Sequence, residues 1–452
     1  MSRATNNAGA PRHGFKLKLA FLVLLWPLTV KSELAVDEIY SPRVTAGDLE
    51  IGVVGAFLCS VLLSIPLFGQ AETVNWTNWL TGQISKHPDV MAATEQAAAR
   101  DADAEASEQP LYNPELSVGA DRTGSDNNFV AGLSQTIDWS DQQGALKDKA
   151  KLIRLSAEAD LNEAVLAQTS ESLFALVEWR AATRAEEIAE SQQHRLDALL
   201  DQVEQRQQAG DLGRTDAELL FLSLSQQLSE LAQAKAAVDQ AQARVRELLP
   251  DWRPQDGGIP GHIWPALASR VDNDNLLAHP SIVAARARWQ VLRSEAEVVS
   301  RRATASPTVG LSGGRDGGEN LVGLTFSIPL NVRNNYGAEI QAANRRSLEA
   351  EARFQALYRK QQYGLAGARA AWKRYDTQLS RWTELSQGRV QRSADLLEKQ
   401  WQVGDLSTSE YLQALGQRAE SLKTGIELEK QAQLGLIELL SQSGELITPF
   451  QQ

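Results

Sequence analysis

Along most of this chain apolar residues recur at spacings of three and four. Leu224, Leu228, Leu231, Val238 and Val245 keep that rhythm in mid-chain, and Leu412, Leu415, Ala419, Leu422 and Ile426 keep it near the C-terminal end. Such stripes predict helices that pack side by side along their whole length. Between Ser140 and Gln208 there is no proline, and Gly144 is the only glycine. Between Asn335 and Val403 there is again no proline, with a few isolated glycines. Each stretch predicts one helix of roughly 65 residues, about 100 Å long at 1.5 Å per residue.

Two segments switch to strict alternation. Phe129, Ala131, Leu133 and Ile137 alternate with Val130, Gly132, Ser134, Thr136 and Asp138. Val322, Leu324, Phe326, Ile328 and Leu330 alternate with Gly323, Thr325, Ser327 and Pro329. One face is apolar and the other small or polar. Each segment follows a partner across a turn rich in Gly, Asp and Asn, GSDNN or GGRDGGEN. The pattern predicts hairpins of strands 112–122 with 128–138, and 307–315 with 320–330. A length of about 10 residues with a dyad period suits a lipid-spanning strand with a polar interior, and a hairpin on a soluble sheet alternates too.

The chain is duplicated. Lys86–Arg100 matches Ala278–Leu292, Asn113–Arg122 matches Ser306–Arg315, and Val130–Asp138 matches Val322–Leu330. Gly210-Asp211-Leu212 matches Gly404-Asp405-Leu406, and Arg246–Pro250 matches Ile437–Ser441. All five keep a separation of about 191 to 194 residues in the same order, the mark of a repeated half-molecule rather than a solenoid of short units. The expected organisation is a first repeat over 72–250, a linker over 251–278, a second repeat over 279–442 and a tail over 443–452. Each repeat reads helix, two strands, long helix, turn and return helix. The long helices span 140–209 and 335–403, and the return helices 214–249 and 407–441. The fold class is mostly α with a small β part.

Composition and charge narrow the function. A net charge of -12 leaves no basic stripe for phosphates and argues against nucleic acid. The five histidines, His13, His87, His194, His262 and His279, lack metal-ligand spacing, and no nucleophile, base and orienter stand together. GGRDGGEN lacks the Lys-Ser/Thr of a phosphate loop. Neither an enzyme nor a cofactor is expected. Residues 1–71 differ from the rest: a basic leader and the apolar run Leu19–Val30 precede a second run, Ile51–Gly69. The second run reads as an export signal with cleavage after Ala71, Asp48 and Glu50 being an awkward flank that a start codon assigned too far upstream explains. A pair of transmembrane helices is the alternative. Cys59, the one cysteine, sits in that run without a disulfide partner.

Export and four strands together impose a condition. Four strands cannot close a barrel, and an open edge in lipid costs several kcal/mol for each unpaired N–H or C=O. Sister subunits must complete the sheet; three copies supply ~12 strands. Phe129, Leu133, Ile137, Val322, Leu324, Phe326 and Ile328 are the expected lipid-facing residues.

From about Glu72 onward the sequence resembles the TolC family of outer-membrane efflux factors. NPELSVG (Asn113–Gly119), GLTFSIPLNVRNNYGAEIQAA (Gly323–Ala343) and VGDLSTSEYLQA (Val403–Ala414) are most similar to its cobalt–zinc–cadmium branch. The resemblance implies a homotrimer in the outer membrane of a Gram-negative bacterium, with a 12-stranded β-barrel, a long periplasmic α-barrel and an equatorial belt. It implies a passive exit duct of a tripartite efflux system, for divalent metal ions. It also implies that the Gly-x-Leu turns are periplasmic tips that dock an adaptor protein bound to an inner-membrane resistance–nodulation–division pump. The docking residues would be Gly210, Asp211, Leu212 and Thr215 in one tip, and Gly404, Asp405, an exposed Leu406, Ser407 and Thr408 in the other. The first tip has Gly213-Arg214-Thr215 where the second has Ser407-Thr408-Ser409. Ser407 or Thr408 suits a helix cap, and these residues also suit an ordinary turn. Asp201 and Glu204 precede Gly210 by the same distances as Asp395 and Glu398 precede Gly404. In a trimer these i, i+3 pairs would make carboxylate rings near the closed end, and solvated helix charges explain them as well. The same fold serves multidrug efflux or type I protein secretion, and a soluble coiled-coil scaffold is the alternative from another class.

Overall fold

The computed structural model describes residues 68–208, 214–271, 275–386 and 388–446. The expected leader and export signal lie outside the described residues, except that Phe68–Ala71 open the first helix. The first repeat holds α1 (Phe68–Ser85), α2 (Pro88–Glu108), β1 (Glu115–Thr123), β2 (Asp126–Thr136), α3 (Gln142–Gln208) and α4 (Arg214–Leu248). After a short α5 (Ile263–Ala268) the second repeat holds α6 (Pro280–Arg302), β3 (Thr308–Asp316), β4 (Glu319–Ser327), α7 (Gly337–Ser386), α8 (Arg389–Gln402) and α9 (Thr408–Ser443).

At 67 residues, α3 spans roughly 100 Å. Its counterpart does not run through. A single helix over 335–403 is the sequence expectation, yet α7 stops after 50 residues and α8 restarts beyond Gly388. Gly388 has φ 65, in the left-handed region where a Cβ is strained and helical hydrogen bonding stops. The equivalent position of the first repeat is His194, inside an unbroken α3.

The strands form one antiparallel sheet in the order β1-β2-β3-β4. The central β2–β3 pairing joins the two repeats, with Leu133 opposite Leu311 and Thr136 opposite Thr308. Both hairpins close on two-residue turns, Gly124-Ser125 and Gly317-Gly318. The positive φ of both Gly317 and Gly318 gives the twist that a two-residue hairpin needs. β1 and β4 each pair on one side only.

Beside the sheet, α2 packs on α3, α3 on α6 and α6 on α7. Ion pairs stitch this layer: Arg154 to Glu108 and Asp101, Arg100 to Asp160, Lys149 to Glu295, and Arg288 to Asp160 and Glu163. Farther along, α4 and α9 pack on α3, and α9 on α7. The main core gathers where these sets meet. Leu173, Leu176, Leu249, Ile437 and Leu440 are fully buried, and Trp179 meets Trp252 edge-on at 4.9 Å. Each of α2 and α6 opens with His-Pro, a pair in which proline suits the first helical turn. His87 Nδ1 accepts from Asp89 N–H at 3.3 Å, and His279 Nδ1 from Ser281 N–H at 3.1 Å. The His279 ring also contacts Ser441 O at 2.9 Å through Nε2 and so ties α6 to the end of α9. Burial pushes the His279 pKa below its ordinary value.

Candidate functional site

Two surfaces stand out, one on the sheet and one at the α8–α9 turn. The register sorts the sheet into two faces. Leu116, Leu133, Leu311 and Leu324 form one row across all four strands, with Val118, Ala131, Gly313 and Val322 beside it. On the opposite face Ser117, Gly132, Ser312 and Gly323 form a row. There Ser117 Oγ donates to Gly132 O and Ser312 Oγ to Gly323 O. The apolar face is uncovered: Leu324 is 84 % exposed, Val322 79 % and Leu116 72 %, and Phe129, Leu133 and Phe326 are exposed too. Each such side chain left in water forgoes about 1.5–3 kcal/mol of burial. A face this apolar needs a cover. Ile137 and Ile328, expected on it, lie just past the ends of β2 and β4. Pro329 lacks an N–H and halts β4 there.

The second surface begins at Trp401, at the end of α8. Gly404 turns with φ 86, and the N–H groups of Asp405 and Leu406 both donate to Gln400 O, at 2.8 and 3.2 Å. Ser407 then caps α9 reciprocally: Glu410 N–H donates to Ser407 Oγ at 3.3 Å, and Ser407 N–H to Glu410 Oε2 at 2.9 Å. The Ser407 N–H, and the Ser407 hydroxyl that also donates to Glu410 Oε2 at 2.7 Å, hold the Glu410 carboxyl below its usual value. Ser407 is therefore the cap, and Thr408 is buried beneath it, with its Oγ1 3.5 Å from Trp401 Nε1. Trp401 stacks on Tyr411 at 5.3 Å with an interplanar angle of 13°. With Leu196, Leu199, Val203, Leu220 and Leu415 they form a small core that joins α3, α4, α8 and α9. Leu406 is half-buried, not exposed as the sequence suggests, because the turn packs it against this small core. Sequence periodicity missed Trp401 and Tyr411; two aromatics flanking one turn were the available signal.

Gly210, Asp211 and Leu212 lie outside the described residues, and Thr215 is exposed in the first turn of α4. Asp201 and Glu204 are exposed on α3, as are Asp395 and Glu398 on α8. The two pairs flank the same small core, through Val203 on one side and Leu397 on the other. Burial pushes the Tyr411 phenol up, and the charge of Glu398 adds to it. Burial lowers the Arg418 pKa, Arg195 across from it lowers it further, and Asp395 opposes both. Of the four carboxylates, Asp395 thus lies within electrostatic reach of Arg418 and Glu398 within reach of Tyr411. Among the described residues no helix is long and apolar enough to cross a membrane.

No protein-family model matches this chain, and no curated protein matches it by sequence. Solved structures do match in fold. The outer-membrane channel OprN aligns over 83 % of this chain and 91 % of its own, with TM-score 0.65 and 16 % identity. CusC, described for the conformational changes that accompany its folding and transmembrane channel formation, aligns over 82 % and 92 %, with TM-score 0.65 and 17 % identity. The Campylobacter jejuni CmeC outer membrane channel aligns over 83 % and 86 %, with TM-score 0.65 and 15 % identity. The fold is that of the TolC-like outer-membrane channels: long helices joined to a small antiparallel sheet.

Proposed function

We propose that this chain is one protomer of a trimeric outer-membrane channel, the passive exit duct of a tripartite efflux system that carries divalent metal cations. The observation that carries this reading is the sheet. It has one face of exposed Leu, Val and Phe, an opposite face mostly of Gly and Ser interrupted by Val130 and Leu321, and two unpaired edges. Lipid is the cover that satisfies the first face, and further strands are the only cover that satisfies the edges in lipid. The likeness to OprN, CusC and CmeC supports the same assignment.

In this reading Phe129, Leu133, Val322, Leu324 and Phe326 face lipid, with Ile137 and Ile328 at the rim. The Gly404–Thr408 turn, and the matching segment Gly210–Thr215 of the first repeat, meet a periplasmic adaptor that binds an inner-membrane pump. Asp201, Glu204, Asp395 and Glu398 line the approach to the periplasmic end and favour cations. Transport needs no group on this chain to make or break a bond.

Two measurements test it. Removing the gene and measuring tolerance to zinc, cobalt and cadmium beside several antibiotics reads the cargo. Lost metal tolerance is expected; unchanged metal tolerance with raised antibiotic sensitivity moves the cargo to drugs. Leu406→Ser should weaken adaptor pull-down without changing the trimer, and wild-type capture overturns the assignment of the tip.

A further inference from the structure

The helix layer beside the sheet has two free edges, and they carry opposite charge. Its order is α2, α3, α6, α7, so α2 and α7 each have one outer side that no element of the same chain covers along this layer. α2 holds six acids against one arginine. Arg100, Asp101 and Glu108 are spent on pairs with α3. Glu95 is exposed on the side opposite buried Ala104, with exposed Asp103 and Glu105 on its two flanks, and among the described residues no cation of the chain pairs with them. The outer side of α7 shows the reverse. Arg345, Arg359 and Lys360 are exposed and likewise without an acidic partner among the described residues.

The heights agree. Arg100 and Arg288 both pair with Asp160 of α3, and Trp289, next to Arg288, stacks on Phe354 of α7 at 5.8 Å. Arg100 and Phe354 are therefore nearly level on opposite edges of the layer. Glu95 lies five residues from Arg100, and Arg359 five from Phe354, both in the direction away from the sheet. Asp103 and Glu105 lie on the sheet side of Arg100, as Arg345 lies on the sheet side of Phe354. β1 and β4, the two free sheet edges, continue the same two borders.

We propose that the acidic outer side of α2 in one copy seats against the basic outer side of α7 in the next copy. This head-to-tail contact fixes the order and height of the subunits before the strand edges zip. It rests on the oligomeric reading above. A heterologous contact of this kind closes into a ring when its rotation allows, and opposite charge rejects the like-on-like pairings α2–α2 and α7–α7.

The test uses the full chain in detergent, with the trimer fraction read by native mass spectrometry and helix content by circular dichroism. Reversing the acids (Glu95→Lys, Asp103→Lys, Glu105→Lys) or the bases (Arg345→Glu, Arg359→Glu, Lys360→Glu) should each lower the trimer fraction about tenfold at low salt, with helix content unchanged. All six changes in one chain should restore it. Raising salt should lessen the wild-type advantage over either reversed variant. If both reversed variants form as much trimer as wild type, or if the six-fold variant stays as poor as either, the charge pairing is overturned. A monomeric wild type overturns the oligomeric reading itself, which is a separate outcome.

Discussion

The two arms of this molecule descend from one duplicated segment and are built differently. In the first, α3 runs for 67 residues without a break, and its turn is written Gly210-Asp211-Leu212-Gly213. In the second, the helix stops at Gly388 and restarts as α8, which ends in a turn fastened by Trp401, Tyr411 and the Ser407–Glu410 box. At the matching positions the first arm has Gln207 for Trp401, Gly213 for Ser407 and Ala217 for Tyr411. The lesson is a division of labour: one arm is a continuous strut, and the other is a jointed segment with a firmly closed end.

The sharpest way to break this contrast is Trp401→Ala. It removes a buried aromatic from the small core and should cost about 3–5 kcal/mol locally, seen as faster amide exchange and protease cutting in α8 and α9. Gln207→Ala, its mirror in the first arm, should stay within about 0.5 kcal/mol. If both are equally mild, the closed end is no special feature of the second arm.

Next comes the joint. Gly388→Ala forces a Cβ into the left-handed region and should cost about 1–2 kcal/mol, while His194→Gly in the unbroken strut should cost about 1 kcal/mol for the opposite reason. Exchange measured along α7–α8 and along α3 reads both. Ser407→Ala should cost about 1 kcal/mol, with faster exchange confined to the first turn of α9. Because its partner Glu410 has a depressed pKa, the contribution of the box is complete above the unfolded carboxylate value. It is lost as pH falls through the folded one.

The smallest effect concerns the junction of α6 with α9. His279 is kept neutral by burial, so its folded pKa lies below the ordinary value of 6.5. Stability is complete above that value and declines as pH falls from there toward the folded pKa, because the unfolded chain takes up the proton first. A His279→Gln variant should flatten the acid side of the melting profile as pH falls below 6.5.

Much of this architecture was legible. Period-two alternation located both hairpins, because a strand that is apolar on one side and small on the other writes its faces directly into the sequence. The long helices showed themselves through missing prolines. The joint did not: Gly388 is one of several glycines in that stretch, and Gly364 and Gly367 sit within α7 without ending it. Which glycine breaks a helix depends on the packing of its neighbours. At the tip, the residues of the turn were visible, whereas the way Leu406 packs against the small core depends on two further helices, α3 and α4, meeting α8 and α9 there. Charge counts along the whole chain hid the opposed borders, since an acidic α2 and a basic α7 nearly cancel in the total.

The hairpin ends carry one more implication. Each is rounded by two residues alone, so under the proposed orientation the two hairpins meet the outside world as a short rim. Turns this short cannot fold over the opening and give antibodies or phage little to grip.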